Sequence, residues 1–258
     1  YGQEEIKESV LAELIESHPV QRLKGLNQYG IPDEYYHKKN FSRYDHSIGV
    51  LILLRKLGAK SKEQIAGLLH DVSHPAFSHV VDWFIGDPTK EDYQDKNHED
   101  FFEKSEVLEI LKKYSIDSKE ISILNHFSLL DREAPSLCAD RIDYCLREMV
   151  QEGQKEVVDR IIFSLDSFNG QVVFKDKESA LVFAENYSFL QREHWSGEQS
   201  RVRYYLLSEI LKIAVEKKIL SLQDLTKMTD NEAIKILVET KNPSISGRFN
   251  LLKNGFKV

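Results

Sequence analysis

The sequence predicts a mainly α-helical protein of 258 residues with one small β-hairpin. Apolar residues recur at helical spacing along most of the chain, which is typical of helices with one buried face. Two capping-box patterns, Ser61-Lys62-Glu63-Gln64 and Thr229-Asp230-Asn231-Glu232, mark helix starts. The exception is Ile161 to Lys175, where Asn169-Gly170 separates two runs rich in β-forming residues. Asn-Gly between such runs is a strong hairpin signal, so we expect a hairpin near 161–175.

The helices follow from these signals in chain order. An apolar run from Ile48 to Leu57 ends at Gly58, a residue that suits a helix C-terminus. The box at Ser61 predicts the next helix, over 62–71. Pro135 is expected in the first turn of a later helix. Further helices are predicted at about 98–113, 118–130, 135–151, 177–193 and 198–218, followed by one that the second capping box opens.

We expect a domain boundary near residue 155 that no linker marks. No repeat, low-complexity stretch or Pro/Gly-rich linker interrupts the sequence, but residues suited to catalysis become scarce after about 150. The sequence therefore predicts a core over 1–155. The hairpin and a helical C-terminal subdomain over 156–258 are expected to pack on that core.

Composition excludes several classes of function. The net charge is −7 and the pI is near 5.8, which argues against a general nucleic-acid or acidic-membrane binder. The longest apolar run, Ile48 to Leu54, is too short to cross a membrane. Cys138 and Cys145 form neither a paired-cysteine zinc pattern nor a disulfide framework, so we expect a cytoplasmic protein.

One constellation has metal-binding chemistry. His70 and Asp71 are adjacent near the end of a predicted helix, where loosened backbone geometry lets neighbours approach one ion. His46 begins the preceding helix, which a short loop places beside His70. Asp140 completes a set of two imidazoles and two carboxylates, with Asp143, one turn later, as an alternative that spacing does not separate. Such a set suits one divalent ion: Mn²⁺, Fe²⁺, Mg²⁺ or Zn²⁺.

Four segments carry a resemblance to a known family. They are Gln21-Arg22-Leu23-Lys24 with Gln28 and Gly30, Ser42 to Val50, Ile65 to His79, and Asp140 to Tyr144. They resemble the HD-domain phosphohydrolases, in particular the dNTP triphosphohydrolase branch, over about residues 1–150. The resemblance implies an HD-domain helical bundle with a helical C-terminal extension.

The resemblance also implies site residues. It gives one metal ion the ligands His46, His70, Asp71 and Asp140, and so favours Asp140 over Asp143. It implies substrate binding by Arg43, His74, His98, Arg141 and Tyr144. It implies catalytic roles for His79, His98, Asp71 and Glu99, with His79 as proton donor to the leaving oxygen, a duty that suits an imidazole.

The second half matches the branch less well. Where the branch often has a tyrosine followed by a His-Lys or His-Arg pair, this chain has Glu198-Gln199-Ser200-Arg201. His194-Trp195 could compensate, although a tryptophan is more often a core or interface anchor.

We therefore expect a metal-dependent phosphohydrolase that converts a dNTP into deoxynucleoside and triphosphate. The alternatives are a phosphomonoesterase acting on deoxynucleotides or another small phosphate ester, and a non-catalytic nucleotide- or metal-sensing module. Family members commonly assemble, so a homo-oligomer is expected.

Overall fold

The computed structural model describes residues 1–2, 4–85 and 89–254. The described residues are mainly helical with one two-stranded hairpin, which confirms the predicted fold class. The α-helices are α1 (Ser9–Glu16), α2 (His18–Arg22), α3 (Arg43–Lys56), α4 (Ser61–Leu69), α5 (Asp82–Ile85), α6 (Tyr93–Lys104), α7 (Glu106–Lys113), α8 (Ser118–Ser122), α9 (Ala139–Gln151), α10 (Lys155–Ser164), α11 (Lys177–Leu190), α12 (Glu198–Glu216), α13 (Leu222–Leu225), α14 (Asp230–Glu239) and α15 (Pro243–Asn254).

The hairpin forms where Asn169-Gly170 predicts it. Strands β1 (Leu165–Phe168) and β2 (Gln171–Phe174) pair antiparallel, with Phe168 opposite Gln171. Both turn residues have positive φ, 50° at Asn169 and 70° at Gly170. A two-residue turn of this kind needs left-handed backbone at both positions, which asparagine and glycine tolerate best.

Several helices are shorter than predicted. The stretch at 98–113 is divided at Ser105, between α6 and α7, and α8 ends at Ser122 instead of near 130. Helix α9 begins at Ala139, so Pro135 lies outside its first turn. The amides of Ala139 and Asp140 donate to the carbonyls of Leu129 and Leu130, at 2.7 and 3.2 Å, and these bonds define the start of α9.

One of the two predicted capping boxes is wrong. Thr229 and Glu232 form theirs, with both side chains bonded to backbone amides. At α4 the N-cap is Lys60, and no side chain caps the helix. Glu63 instead accepts the amides of Leu129 and Leu130, at 2.7 and 3.2 Å. A carboxylate with two distant amide donors is unavailable to its own helix end.

The chain divides into two compact units. Unit 1 comprises 1–17, 46–70 and 105–196, and unit 2 comprises 18–45, 71–104 and 197–258. Unit 1 buries apolar side chains of α3, α4, α9 and the helices around them, including Leu54, Leu68 and Ile142. The predicted boundary near residue 155 falls inside unit 1, and the assignment of domains there stays a prediction.

Unit 2 has its own apolar core. Phe77 and Leu211 are almost fully buried in it, as is Leu225. Helix α12 packs against α15 and α5 within this unit. Among the described residues, no helix combines the length and apolar character needed to span a membrane.

Candidate active site

Three predicted metal ligands meet in unit 1. His46 lies in the first turn of α3, His70 directly follows α4, and Asp140 lies in the first turn of α9. Nε2 of His46 is 2.9 Å from Oδ1 of Asp140 and 3.2 Å from Nε2 of His70. Nε2 of His70 is 3.7 Å from the same Asp140 oxygen. Both imidazoles are buried, and the Asp140 side chain is 30% exposed.

The other nitrogen of each imidazole is already engaged. Nδ1 of His46 lies 2.8 Å from Oδ2 of Asp143, and Nδ1 of His70 lies 2.8 Å from the carbonyl of Gly67. Because carboxylate and carbonyl oxygens only accept hydrogen bonds, each Nδ1 carries a proton. In the neutral form each Nε2 then presents a lone pair, and both lone pairs point toward Asp140.

This arrangement fits a cation. Two lone pairs and a carboxylate oxygen repel one another unless positive charge lies between them. A metal ion with ligand bonds of about 2.1 Å holds neighbouring donors about 3.0–3.4 Å apart. The separations of 2.9, 3.2 and 3.7 Å bracket that range. The donor set of imidazole and carboxylate suits a divalent ion of the first transition row, or magnesium.

Asp143 orients His46. Besides Nδ1 of His46, this fully buried carboxylate accepts the Tyr1 hydroxyl at 2.5 Å and Nε of Arg147 at 2.8 Å. Gly49 makes the approach possible, because a Cβ there would lie 2.0 Å from Oδ1 of Asp143. Second partners of this kind fix the tautomer and the orientation of a metal-binding imidazole. Asp143 is therefore placed behind His46, one turn after Asp140.

The charge on Asp140 is maintained by its surroundings. Burial alone would raise the pKa of this carboxyl. In the absence of a cation, protonated His46 and His70 donate hydrogen bonds and positive charge that outweigh burial and hold the pKa well below its usual range, the direction in which a bound cation would also act. Its place in the first turn of α9 adds the favourable end of the helix dipole.

Asp71 and Arg43 form a buried ion pair in unit 2. Nη1 of Arg43 donates to Oδ2 of Asp71 at 2.7 Å, and its Nε donates to Oγ of Ser78 at 2.7 Å. Nε2 of His74 lies 3.3 Å from the other Asp71 oxygen. Burial, together with the Arg43 cation, lowers the pKa of His74 well below its usual range, so this imidazole is neutral at neutral pH.

The loop after Asp71 is fixed by two residues distant in sequence. Nη2 of Arg22 donates to the carbonyls of Val72 and His74, at 2.9 and 2.7 Å. Phe77 has a φ of 66°, an unfavourable left-handed conformation for an aromatic residue. Its amide donates to Oδ1 of Asp230 at 2.8 Å, which helps to hold that conformation.

His79 and His98 have separate partners in unit 2. Nδ1 of His79 is 3.5 Å from Oδ2 of Asp82, and its side chain is 29% exposed. Nδ1 of the buried His98 is 2.7 Å from Oγ of Ser73. Glu99, expected behind His98, is exposed on α6, and Ser73 provides the close polar contact instead.

Arg141 and Tyr144 have partners within unit 1. Nη2 of Arg141 donates to the carbonyl of Arg132 at 3.1 Å, and its Nη1 donates to the carbonyl of Ser136. These bonds fasten the loop before α9. The Tyr144 hydroxyl is 3.2 Å from that of Tyr187, and burial raises the pKa of Tyr144 well above its usual range.

Several residues at these positions were not found from the sequence. Ser78, Arg22 and Asp230 act through hydrogen bonds to groups distant in sequence, for example 35, 50 and 153 residues away. No local pattern signals such bonds. Asp143 was recognised by its spacing, as an alternative ligand, but its bond to His46 was not predicted.

Comparisons with known proteins identify the family. The family model described as "HD domain" matches residues 43–169. The uncharacterized protein YdhJ of Bacillus subtilis is 39% identical, over all of this chain and 79% of its own length. The metal-dependent phosphohydrolase cns2 of Cordyceps militaris is 32% identical, over 94% of this chain and 72% of its own length.

More distant matches extend the fold comparison. A deoxynucleoside triphosphate triphosphohydrolase SAMHD1 homolog of Dictyostelium discoideum is 24% identical over 69% of this chain and 40% of its own length. A crystal structure of a phosphohydrolase from Bacteroides thetaiotaomicron has a TM-score of 0.70 at 19% identity, over 95% of this chain and 73% of that one. At this identity the structural match shows the fold alone.

The chain belongs to the HD-domain family of metal-dependent phosphohydrolases.

Proposed function

We propose that the protein hydrolyses nucleotides, most readily a dNTP to its deoxynucleoside and triphosphate. One divalent ion would be held by His46, His70 and Asp140, and the HD motif adds Asp71, the residue after His70. The observation that carries the proposal is the convergence of two Nε2 lone pairs and one carboxylate oxygen in unit 1. When bound, the ion supplies Lewis-acid charge that polarises a phosphoryl oxygen and activates water.

The phosphate-binding residues follow from charge and donor type. We assign the phosphate oxygens to Arg43, whose guanidinium is buried and therefore acts with little solvent screening. His74, neutral at neutral pH, and His98 would donate hydrogen bonds to the same phosphate chain. Together these donors would stabilise charge on the equatorial oxygens as water attacks the α-phosphorus.

His79 is the proposed proton donor. Nδ1 lies 3.5 Å from Oδ2 of Asp82, so the ring turns this nitrogen toward the carboxylate and leaves Nε2 for the substrate. Nε2 is then the nitrogen that gives its proton to the departing 5′ oxygen of the deoxynucleoside. Asp71 and Glu99 remain proposed catalytic residues from the resemblance, and Arg141 and Tyr144 proposed substrate contacts.

Two kinds of relative bear on the substrate. The Dictyostelium relative is named as a dNTP triphosphohydrolase homolog, which supports the leading proposal. The name of the Cordyceps relative is only a metal-dependent phosphohydrolase, which suits a phosphomonoesterase equally well. A nucleotide- or metal-sensing module is the non-catalytic alternative. Assembly as a homo-oligomer stays a prediction.

A substrate panel tests the proposal. Purified protein loaded with Mn²⁺, Fe²⁺, Mg²⁺ or Zn²⁺ is incubated with each dNTP, NTP, deoxynucleoside monophosphate and a simple phosphate ester, and the products are separated by phosphate chain length. Triphosphate supports the proposed reaction, and orthophosphate alone supports the monoesterase. No turnover with any substrate and metal contradicts both and favours the sensing module.

Two variants separate metal binding from proton transfer. His70→Ala combined with Asp71→Ala should lose bound metal and turnover together. His79→Ala should retain the metal and lose about 10²–10⁴-fold in kcat, the usual contribution of a general acid. His126→Ala, an exposed histidine of unit 1, is the matched control and should change neither. Full metal occupancy in the double variant would contradict the ligand assignment.

A further inference from the structure

Unit 1 contains a cluster of three aromatic rings, Tyr144, Tyr187 and Trp195. The ring centroids of Tyr144 and Trp195 are 4.9 Å apart and nearly perpendicular, and those of Tyr187 and Trp195 are 5.1 Å apart. The two tyrosine hydroxyls lie 3.2 Å from each other. None of the three rings is fully buried. The cluster is therefore half-buried, at the margin of the apolar core.

This cluster adjoins the metal ligands of the same unit. Tyr144 follows Asp140 by one helical turn on α9, and its ring centroid is 6.2 Å from that of His46. A phosphate ester whose phosphorus lies at the metal ligands would therefore have its organic part within reach of these rings.

Trp195 is held in place by a buried carboxylate. The side chain of Glu148 is 1% exposed, and its two oxygens accept from different groups. Nε1 of Trp195 donates to Oε1, and Nδ1 of His194 lies 3.0 Å from Oε2. Residues Gln191–Trp195 form a π-helical turn, which places both donors toward Glu148. Turns of this kind are rare and occur frequently at functional sites.

Packing alone does not explain this arrangement. Burial of a carboxylate is unfavourable, and apolar side chains of similar volume commonly serve a packed core better. The bond to Glu148 instead fixes the plane of an indole that remains partly exposed. Both Glu148 oxygens are engaged in this task, so the carboxylate is not a free acceptor for a substrate hydroxyl.

We infer that Trp195, with Tyr187 beside it, is the surface on which the planar base of the substrate stacks. Glu148 is the positioning residue that holds the indole. The inference rests on the proposed function, because it names the part of the nucleotide that this side of the site recognises. Stacking on an aromatic side chain strengthens binding of a base by about 10- to 100-fold and accepts any base, since every base has a π-face.

Tryptophan fluorescence tests the inference without turnover. The chain has two tryptophans, so Trp83→Phe leaves Trp195 as the reporter. The ligands are the four deoxynucleosides, which have a base but no phosphate, and 2-deoxyribose 5-phosphate, which has no base. At least one deoxynucleoside should quench the emission saturably, whereas the sugar phosphate should not. Glu148→Gln in this background should weaken that binding about tenfold, because an amide replaces one of the two acceptor oxygens.

Kinetics of the full chain provide the second measurement. Trp195→Ala should raise KM for the best dNTP at least tenfold, with metal content unchanged and kcat within about twofold, since stacking acts far from the reacting phosphorus. Phe168→Ala removes an aromatic ring that is 67% exposed in the same unit and outside the cluster, and should leave KM unchanged.

The two proposals fail differently. Turnover with an unchanged KM in Trp195→Ala, or no saturable quenching by any deoxynucleoside, overturns the stacking surface and leaves the hydrolase proposal standing. Equal nucleoside affinity in Glu148→Gln overturns the positioning role. Quenching that depends on Glu148, in a protein without any turnover, contradicts the hydrolase proposal alone.

Discussion

At the scale of single residues, the candidate metal centre depends on the groups that hydrogen-bond to its two imidazoles. Each imidazole can offer Nε2 to a cation only because Nδ1 is occupied, by Asp143 for His46 and by the Gly67 carbonyl for His70. The residue types and spacing indicated that His46 and His70 approach a carboxylate of α9, and the resemblance to the HD-domain family favoured Asp140 over Asp143. The groups that hydrogen-bond to the two Nδ1 atoms could not be predicted, because a sequence does not indicate which backbone carbonyl or side chain will contact an imidazole.

Replacing Asp143 tests this supporting role. In Asp143→Asn a single amide oxygen must serve donors from Tyr1, His46 and Arg147, so at least one donor faces an NH₂ group instead. We expect metal affinity to fall about 10- to 100-fold while the protein stays folded. Calorimetric titration with Mn²⁺ or Zn²⁺ measures the change, with circular dichroism as the check on folding.

A matched substitution distinguishes position from charge. Asp159→Asn removes an exposed carboxylate of α10 that pairs with Lys155, one turn earlier on the same helix, and should leave metal affinity unchanged. Equal affinities in wild type and Asp143→Asn would show that His46 does not need its carboxylate partner.

At the scale of elements, helix ends proved harder to predict than helices. The periodicity located α3, α4 and α9, but the start of α9 depends on the carbonyls of Leu129 and Leu130, and the start of α4 lacks its expected cap because Glu63 binds the same segment. The contacting atoms are close in space, although the residues that carry them lie about 10 to 66 positions apart in sequence. Local propensity therefore predicts the element, whereas its bounds depend on tertiary structure.

The approach of α3 to α9 gives a prediction at this scale. In Gly49→Ala the added Cβ would lie 2.0 Å from Oδ1 of Asp143 and 2.3 Å from Nη2 of Arg147, so α3 or the Asp143 side chain must move. We expect a loss of about 1–3 kcal/mol in the free energy of unfolding, typical of overpacking, together with weaker metal binding. Urea denaturation and metal titration measure the two effects.

Gly247→Ala is the control for that substitution. Gly247 lies inside α15, and no neighbouring atom of the described residues stands within 4 Å of an added Cβ. Alanine is the better helix former, so this variant should be as stable as the wild type or up to about 1 kcal/mol more stable. Destabilisation of both variants to the same extent would mean that the contact with Asp143 is not the cause.

At the scale of the whole molecule, each unit joins segments distant in sequence. Unit 1 takes in 46–70 and 105–196, and unit 2 takes in 18–45, 71–104 and 197–258. The proposed metal ligands could be chosen from the sequence because each lies within a recognisable local motif. Asp230 could not, because it acts on Asn27 and Phe77, at least 153 residues earlier in the chain. Its sequence context signalled only a helix start.

Asp230 leads to a prediction for stability against pH. Burial raises the pKa of this carboxyl to about 6, although the amides of Asn27 and Phe77 oppose the shift. An aspartate in an unfolded chain titrates near pH 4, so the folded protein binds the proton more tightly. The contribution of Asp230 is therefore fully present below about pH 4 and is lost as the pH rises through about 6, by at most about 3 kcal/mol.

The measurement is a difference between two proteins. The free energy of urea unfolding is compared for wild type and Asp230→Asn from pH 4 to pH 7, so that titration of all other groups cancels. Wild type should lose stability relative to the variant as the pH rises through this window. Asp224→Asn, compared with wild type from about pH 5 down to about pH 2, reverses the sign, because hydrogen bonds from Ser221 hold the pKa of Asp224 below its usual range. That contribution is present above about pH 4 and is lost on acidification. A wild-type advantage over Asp230→Asn that stays constant or grows with pH would mean that the two amides outweigh burial at Asp230.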